Sequence, residues 1–487
     1  MRALISVYEK DRLEVLLKAL KELNAEILST AGTASFIQSL GYGVTKLESI
    51  TGFSELLGGR VKSLHPMVFA PILMRSEDAS DNLLPIDLVV VNFYPFEKGL
   101  EDGDNLVELI DIGGPALVRA GAKNFERVCV VIDPDDYDWV ARKLLGGDLT
   151  LEDRKNLASK AFSYCAYLDA MISNALSGEL QLRGAFPYKL EHSLRYGENP
   201  HQKAWLLSSP LEKVGMPIKL SGKEMSYNNY LDFDCAQKLV LGFKKPACAI
   251  IKHATPASVA IGKSALEAFE IAFDAEPESA FGGVVAFNDA VDENLANKLI
   301  QNFIEMVIAP EFYEGAFDIL KSKKNLRVIR SVGTSSGLSL RSISGGFLLQ
   351  EEPLEDSIEP KVVCGDVSSH QMEDLLFAWR VVSYARSNAV VIVKNLRTLS
   401  IGSGNTSRVD SLRCAIMRAN RNGFDLNGAV LASDGFFPFP DSVELAYKAG
   451  IRAIIQPGGS IRDQEVIEKA KELGVSMLFT NKRVFSH

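Results

Sequence analysis

Cysteine is scarce and carries no pattern. The six cysteines (Cys129, Cys165, Cys235, Cys248, Cys364, Cys414) include no C-x-x-C pair. This argues against a disulfide scaffold and a cysteine zinc ribbon, and reads as small buried apolar residues in a reducing compartment. An excess of positive charge is also missing. The net charge is −9, which argues against a general nucleic-acid surface, so an anionic ligand would need local basic clusters. No apolar run reaches membrane-spanning length and no leader precedes the first strand pattern, so the cytoplasm is the expected location, with no membrane partner. Several motifs are absent: G-x-x-x-x-G-K-[ST], H-E-x-x-H, H-x-E with P-C-x-x-C, and G-x-S-x-G. Phosphate-loop ATP chemistry, zinc proteolysis, zinc-dependent deamination and α/β-hydrolase chemistry therefore lack support, and no metal site is expected.

What remains is an ordinary globular composition, 47% hydrophobic and 24% charged, in a chain too long for one core. Residues 2–7 read as a strand. Leu13, Leu16, Leu17, Leu20 and Leu23 then recur at helical spacing. A second strand ends in Thr30-Ala31-Gly32-Thr33, a small-residue turn at a helix start, where free N–H groups can hold a phosphate or simply cap the helix. Gly58-Gly59-Arg60-Val61-Lys62-Ser63-Leu64-His65-Pro66 pairs flexible backbone with two cations, an anion loop or a solvated one. Leu88–Val91 is a continuous apolar run, as in a buried parallel strand. Asp111-Ile112-Gly113-Gly114-Pro115 opens a helix carrying Arg119 and Lys123 on one face. The β-α alternation over the first ~180 residues predicts a doubly wound parallel sheet.

The pattern breaks near 185–190, the expected domain boundary. Leu194–Gln202 is a polar loop offering Arg195, Tyr196, Asn199 and His201. Ala249-Ile250-Ile251-Lys252-His253-Ala254-Thr255-Pro256 follows: an apolar strand ending in a cation and an imidazole, then a turn. The carboxyl end of a strand is where open α/β sheets place chemistry, and a neighbouring lysine disfavours the charged imidazole. A surface Lys-His pair is the plainer reading. A second α/β pattern starts near 370. Its turn Gly402-Ser403-Gly404-Asn405-Thr406-Ser407-Arg408 matches a dinucleotide fingerprint poorly, because Ser407 stands in for the third glycine. Ser433-Asp434-Gly435-Phe436-Phe437-Pro438-Phe439 sets aromatics beside a turn, suited to a flat heterocycle or to a core.

Five strings, Leu-Arg-Tyr-Gly-Glu-Asn-Pro-His-Gln, Gly-Gly-Arg-Val-Lys-Ser-Leu-His-Pro, Asp-Ile-Gly-Gly-Pro, Ser-Ala-Phe-Gly-Gly-Val and Phe-Phe-Pro-Phe, are specific rather than generic. With them the chain resembles, across nearly its whole length, the bifunctional AICAR transformylase/IMP cyclohydrolase family of purine biosynthesis. The resemblance implies an α/β protein: a methylglyoxal-synthase-like doubly wound domain over 1–187, then a transformylase over 188–487 made of two cytidine-deaminase-like subdomains meeting near 365, without the deaminase zinc. It implies formyl transfer from 10-formyltetrahydrofolate to AICAR, then closure of formyl-AICAR to IMP with loss of water. It also implies small-molecule substrates only, no permanently bound cofactor, room for a monovalent cation, and a homodimer with composite transformylase sites.

The resemblance carries roles to positions. His253 would be the transformylase base and Lys252 would stabilise the transition state. Arg195, Tyr196, Gly282, Glu305, Asn388, Arg408, Phe436 and Arg483 would grip AICAR, while Val409, Asp441, Ser460 and Ile461 would meet folate. In the cyclohydrolase, Lys123 would donate or accept the proton with Asp111 nearby. The nucleotide would meet Tyr8, Glu9, Lys10, Thr30, Ala31, Gly32, Thr33, Arg60, Val61, Lys62, Ser63, Val91, Asn92 and Ile112. Departures from the family pattern stand at Tyr8-Glu9, at Ala257-Ser258 after the Lys-His pair, at Arg386 and at Asn405-Thr406; none removes a proposed catalytic group. The competing readings are a transformylase whose first domain is only a nucleotide-binding regulatory module, and a deaminase.

Overall fold

The computed structural model describes residues 1–487 except 55, 79–82, 178–180, 212–215, 334–336 and 353–357. The chain divides into two units, Met1–Lys189 with Ser208–Leu211, and Leu190–Leu207 with Glu212–His487.

The first unit is built on five parallel strands: β1 (Arg2–Ser6), β2 (Glu26–Ser29), β3 (Thr45–Lys46), β4 (Leu88–Val91) and β5 (Cys129–Val131), in the order β3-β2-β1-β4-β5. Side chains alternate across a strand. Ala3 and Ile5 therefore enter one core with Leu13, Leu16, Leu17 and Leu20 of the helix Leu13–Glu22, while Leu4 enters the other with Leu117 and Val118. Each fully buried leucine of the first helix contributes about 1.5–3 kcal/mol relative to exposure. The long helix Leu151–Leu176 starts at a reciprocal capping box between Thr150 and Asp153, which satisfies two donors that a helix start leaves open. The order reverses between β1 and β4, the switch point at which doubly wound sheets open a crevice.

In the second unit the same series of elements occurs twice. A ribbon of β6 (Lys189–Leu194) and β7 (Ala204–Ser208) comes first. The first series is β8 (Ile218–Ser221), helix Tyr227–Val240, the hairpin β9 (Ala247–Lys252) and β10 (Thr255–Ile261), helix Ala265–Ala275, then β11 (Val284–Phe287), β12 (Met306–Ala309) and β13 (Arg327–Arg330) joined by helices. An exposed hairpin, β14 (Gly337–Ile343) and β15 (Gly346–Glu352), intervenes. The second series is β16 (Lys361–Cys364), helix Ser369–Val382, the hairpin β17 (Val390–Lys394) and β18 (Arg397–Gly402), helix Arg408–Arg421, then β19 (Val430–Ser433), β20 (Ala453–Gln456) and β21 (Ser476–Phe479), again joined by helices. The two series meet edge to edge through antiparallel β10 and β18, giving one twelve-stranded sheet. One core, centred on Trp379, Phe377 and Leu239, runs across both series on the face of the helices Tyr227–Val240 and Ser369–Val382, and two smaller cores lie on the other face.

Helix Tyr227–Val240 starts at a capping box formed by Ser226 and Asn229.

Candidate active sites

In the first unit the loops after β1, β2 and β4 converge at the switch point. Asn92 accepts the N–H groups of Tyr8 (2.5 Å) and Glu9 (3.1 Å) and donates to the Glu9 carbonyl at 2.7 Å. Lys10 Nζ donates to the Tyr8 carbonyl at 3.0 Å. Thr33 Oγ1 takes the Val7 N–H and donates to the Val7 carbonyl, and the Ser6 and Thr30 hydroxyls stand 3.1 Å apart. Helix Ala31–Ser39 therefore begins beside Tyr8–Lys10, and the Thr30 side chain does not cap it. Its first N–H groups can serve an anion.

The loop residue Ser63 is buried, and its hydroxyl sits against the start of helix Gly113–Lys123, within 2.8 Å of where a Cβ on Gly113 would lie. Asp111 Oδ1 accepts the Gly114 N–H at 2.9 Å. Burial raises the Asp111 carboxyl above its ordinary value, opposed by the Gly114 N–H and by Lys62. Lys62 Nζ lies 3.3 Å from the Tyr94 hydroxyl, and the Tyr94 ring packs edge-on against Tyr8 at 5.6 Å. Tyr94 was not singled out from the sequence. Its place two residues beyond Asn92 was the available signal. Arg60 is paired with Glu108, Val91 is buried in β4, and Val61 and Ile112 are exposed.

Lys123 is not brought to this crevice. It is the last of eleven residues in its helix, about 15 Å from Gly113 at the α-helical rise, and it is exposed. Its neighbour Asn124 bonds the carbonyls of Ile72 and Met74. Arg119, on the same face, is paired with Asp169. Helical spacing makes the face basic, but Asp111 and the glycines it contacts lie at the other end of the helix.

In the second unit, pairing directions put the expected residues on one edge of the sheet. Lys252–His253 and Ser433–Phe436 lie at carboxyl ends of β9 and β19, with Ser460–Ile461 after β20 and Arg483 after β21. Gly282 and Glu305 lie at the amino ends of β11 and β12, and Asn388 at that of β17. The expected residues therefore follow the carboxyl ends of β9, β19, β20 and β21 but precede the amino ends of β11, β12 and β17. β9 is antiparallel to β11, so one edge collects opposite ends.

His253 and Ala254 form the β9–β10 turn with φ of 57° and 53°, a left-handed conformation costly for residues bearing a Cβ. The Ala254 N–H donates to Asp232 Oδ1 at 2.6 Å. Lys252 Nζ donates to the Phe281 carbonyl at 3.0 Å, and the imidazole is exposed. Glu305 accepts from Asn229 (3.2 Å) and from buried Arg327 (3.1 Å). Arg327 is lowered by burial, and Arg195 is close enough to act on it as well. The Arg195 guanidinium lies over the Tyr196 ring at 5.1 Å. Across the β10–β18 junction, the Arg386 N–H donates to Thr255 Oγ1 (3.4 Å), and Asn388 Nδ2 bonds the carbonyls of Asn405 and Thr406. Arg408 reaches Ser433 (2.9 Å) and fully buried Asp434 (2.7 Å). Phe437 is core, whereas Phe436 and Phe439 are exposed. Arg483 lies over the Phe485 ring. Of the expected folate contacts, Val409 is the second residue of its helix, Asp441 opens the next one, and Ser460 and Ile461 follow the turn of Gly458 and Gly459.

From β12 to β21 the edge makes eight strand-to-strand steps, roughly 40 Å at the usual spacing. No single small ligand touches both ends. The residues form two groups, one from Arg195 to Glu305 and one from Asn388 to Arg483, with His253 between them.

Comparison with known proteins gives a consistent result. The family described as AICARFT/IMPCHase bienzyme matches residues 121–418, and the MGS-like domain family matches residues 12–116. The chain is 52% identical to the bifunctional purine biosynthesis protein PurH of Aquifex aeolicus, covering 100% of both chains. It is 45% identical to the proteins of the same name from Persephonella marina and from Caldicellulosiruptor bescii, covering 100% of this chain and 99% of each relative.

Proposed function

The chain belongs to the AICARFT/IMPCHase bienzyme family, and from this premise we propose how its units divide the work. The enzyme performs the last two steps of IMP synthesis, formyl transfer to AICAR and cyclisation of formyl-AICAR, with 10-formyltetrahydrofolate as the co-substrate that the first activity implies. Residues 1–187 are the cyclohydrolase, and 188–487 the transformylase, with a subdomain boundary near 365.

The observation that carries the transformylase reading is the Lys252-His253 turn at the sheet edge. The AICAR amine is delocalised and a poor nucleophile, so His253 takes its proton as the new bond forms. Lys252, held toward the site by the Phe281 carbonyl, offsets charge growing on the formyl oxygen. Arg195, Tyr196, Gly282, Glu305, Asn388, Arg408, Phe436 and Arg483 bind the nucleotide; Val409, Asp441, Ser460 and Ile461 meet the folate. The spread of these residues along about 40 Å of edge supports a homodimer in which each transformylase site draws on two copies. Leu338, Leu340, Phe347 and Leu348, exposed on the β14–β15 hairpin, offer apolar surface for it. Sedimentation as a monomer at assay concentration with full transfer activity would overturn that arrangement.

In the cyclohydrolase both reacting groups already share one molecule, so holding the folded conformer supplies much of the rate. The Thr30–Thr33 helix start and the Arg60–Ser63 loop hold the nucleotide, with Tyr8–Lys10 and Asn92 beside them. The resemblance gives proton transfer to Lys123, whereas the geometry favours Lys62 with Asp111 and Tyr94. Lys62→Met and Lys123→Met separate these: loss of cyclisation in the first alone supports the local group, and loss in the second alone restores Lys123. The cytoplasm suits an enzyme whose cysteines are all free. A monovalent cation stays in the reading as an activator, tested by replacing potassium with tetramethylammonium in the assay.

The direct test is incubation with AICAR and 10-formyltetrahydrofolate, followed by chromatography. IMP with tetrahydrofolate is expected. Formyl-AICAR alone would leave the first domain a binding module.

A further inference from the structure

The two hairpin turns of the second unit share one backbone device. In the second series Asn395 and Leu396 have φ of 57° and 54°, and both their N–H groups donate to Asp374, at 2.9 and 2.6 Å. Asp374 lies in the helix that follows the Ser368 cap, and Asp232 lies at the same place in the helix that follows the Ser226 cap. The first series uses the carboxylate differently. Asp232 takes only the Ala254 N–H, through Oδ1. Among the described residues, Oδ2 has no hydrogen-bond partner, and the bond to Ala254 holds the carboxylate one residue from His253.

We infer that Asp232 is a positioning residue for the transformylase base. Oδ1 locks the left-handed turn that presents His253, and the charge centred toward Oδ2 steadies the imidazolium formed when His253 accepts the amine proton. The inference rests on the role of His253 proposed above. A left-handed pair of non-glycine residues persists only where its surroundings hold it, and Asp232 supplies that hold. An opposite charge also favours the protonated imidazole. The other charged groups at this point are Lys252 on β9, Glu305 before β12, and Arg386 beyond the helix Ser369–Val382. Burial raises the Asp232 carboxyl above its ordinary value, while the Ala254 N–H, His253 and Arg386 lower it and Glu305 raises it further. The Ala254 N–H of the turn is the largest of the influences that oppose that burial.

The experiment measures formyl transfer and cyclisation of supplied formyl-AICAR across pH in the full-length enzyme, for wild type, Asp232→Asn, Asp232→Ala and His253→Ala. Asp232→Asn keeps an acceptor for Ala254 and removes the charge. The expected result is a fall in transfer kcat of roughly 10-fold or more and an AICAR KM within about 2-fold, with cyclisation unchanged. Asp232→Ala loses more transfer, because the turn loses its acceptor. Wild-type transfer kcat in Asp232→Asn would overturn the inference, as would a parallel fall of both activities. If His253→Ala kept transfer, the reading of His253 would fail instead. Should Asp232→Ala not fold, Asp232→Asn decides alone.

Discussion

Two turns of the same sheet, Lys252-His253-Ala254-Thr255 and Lys394-Asn395-Leu396-Arg397, share a backbone and differ in chemistry. Both pair a lysine at a strand end with two left-handed residues and an aspartate from the preceding helix. In the second, the lysine, the asparagine and the aspartate all have polar partners. Lys394 Nζ bonds the Asn427 carbonyl at 2.7 Å and pairs with Asp425, Asn395 bonds His370 at 2.9 Å, and Asp374 is buried with both oxygens used. In the first, Lys252 meets a single neutral carbonyl and His253 is exposed. A duplicated fold supplies the strained turn twice, and leaving the charges unneutralised in one copy turns it toward substrate.

The comparison breaks most sharply at the histidine. His253→Ala should lower formyl transfer by about 10²–10⁴-fold, the usual contribution of a positioned base, and leave cyclisation intact; equal loss of both in folded protein would sink the two-site picture. The lysines come next. Lys252→Met should cost transfer about 10²-fold or more, as for a lost oxyanion partner. Lys394→Met should leave transfer intact and lower the unfolding free energy from urea titration by no more than about 1 kcal/mol, since its ion pair is partly exposed. Equal effects on transfer would erase the distinction between the turns. Asp374→Ala strands two N–H groups in a tight turn, so chemical denaturation should show a loss of about 2–4 kcal/mol. Asn395→His, which copies the active residue onto the silent turn, should change stability by less than about 1 kcal/mol and add no activity.

The cyclohydrolase site offers a pH version of the same contrast. Asp111 has its carboxyl raised by burial, so the folded chain holds that proton more tightly than the unfolded one. Between the ordinary carboxylate value and the raised one, stability falls as pH rises, and the cost of the buried charge is fully present at neutral pH. Asp111→Asn should therefore be neutral or stabilising in thermal melts at neutral pH while cyclisation falls. A destabilised variant would show that the carboxylate serves the fold rather than the reaction.

Much of this was legible along the chain. The first strand, the leucine-spaced helix after it and the buried parallel strand Leu88–Val91 fall where their patterns put them, because those burial patterns are local. Other features could not be placed without distances. Arg119 and Lys123 share a helical face, but spacing does not tell which end of the helix meets the ligand. Tyr94, Asp232 and Arg327 carried no motif. Each became a candidate through partners far away in sequence, Lys62, Ala254 and Glu305.

The sequence by itself determined the doubly wound first unit and the family, since periodicity and contiguous strings need no third dimension. The tertiary structure alone decided that β9 lies antiparallel to β11, that opposite strand ends therefore share one edge, and that one of two equivalent turns is left with its charges free. Strand direction and charge neutralisation depend on partners brought together by folding, and no local spacing encodes them.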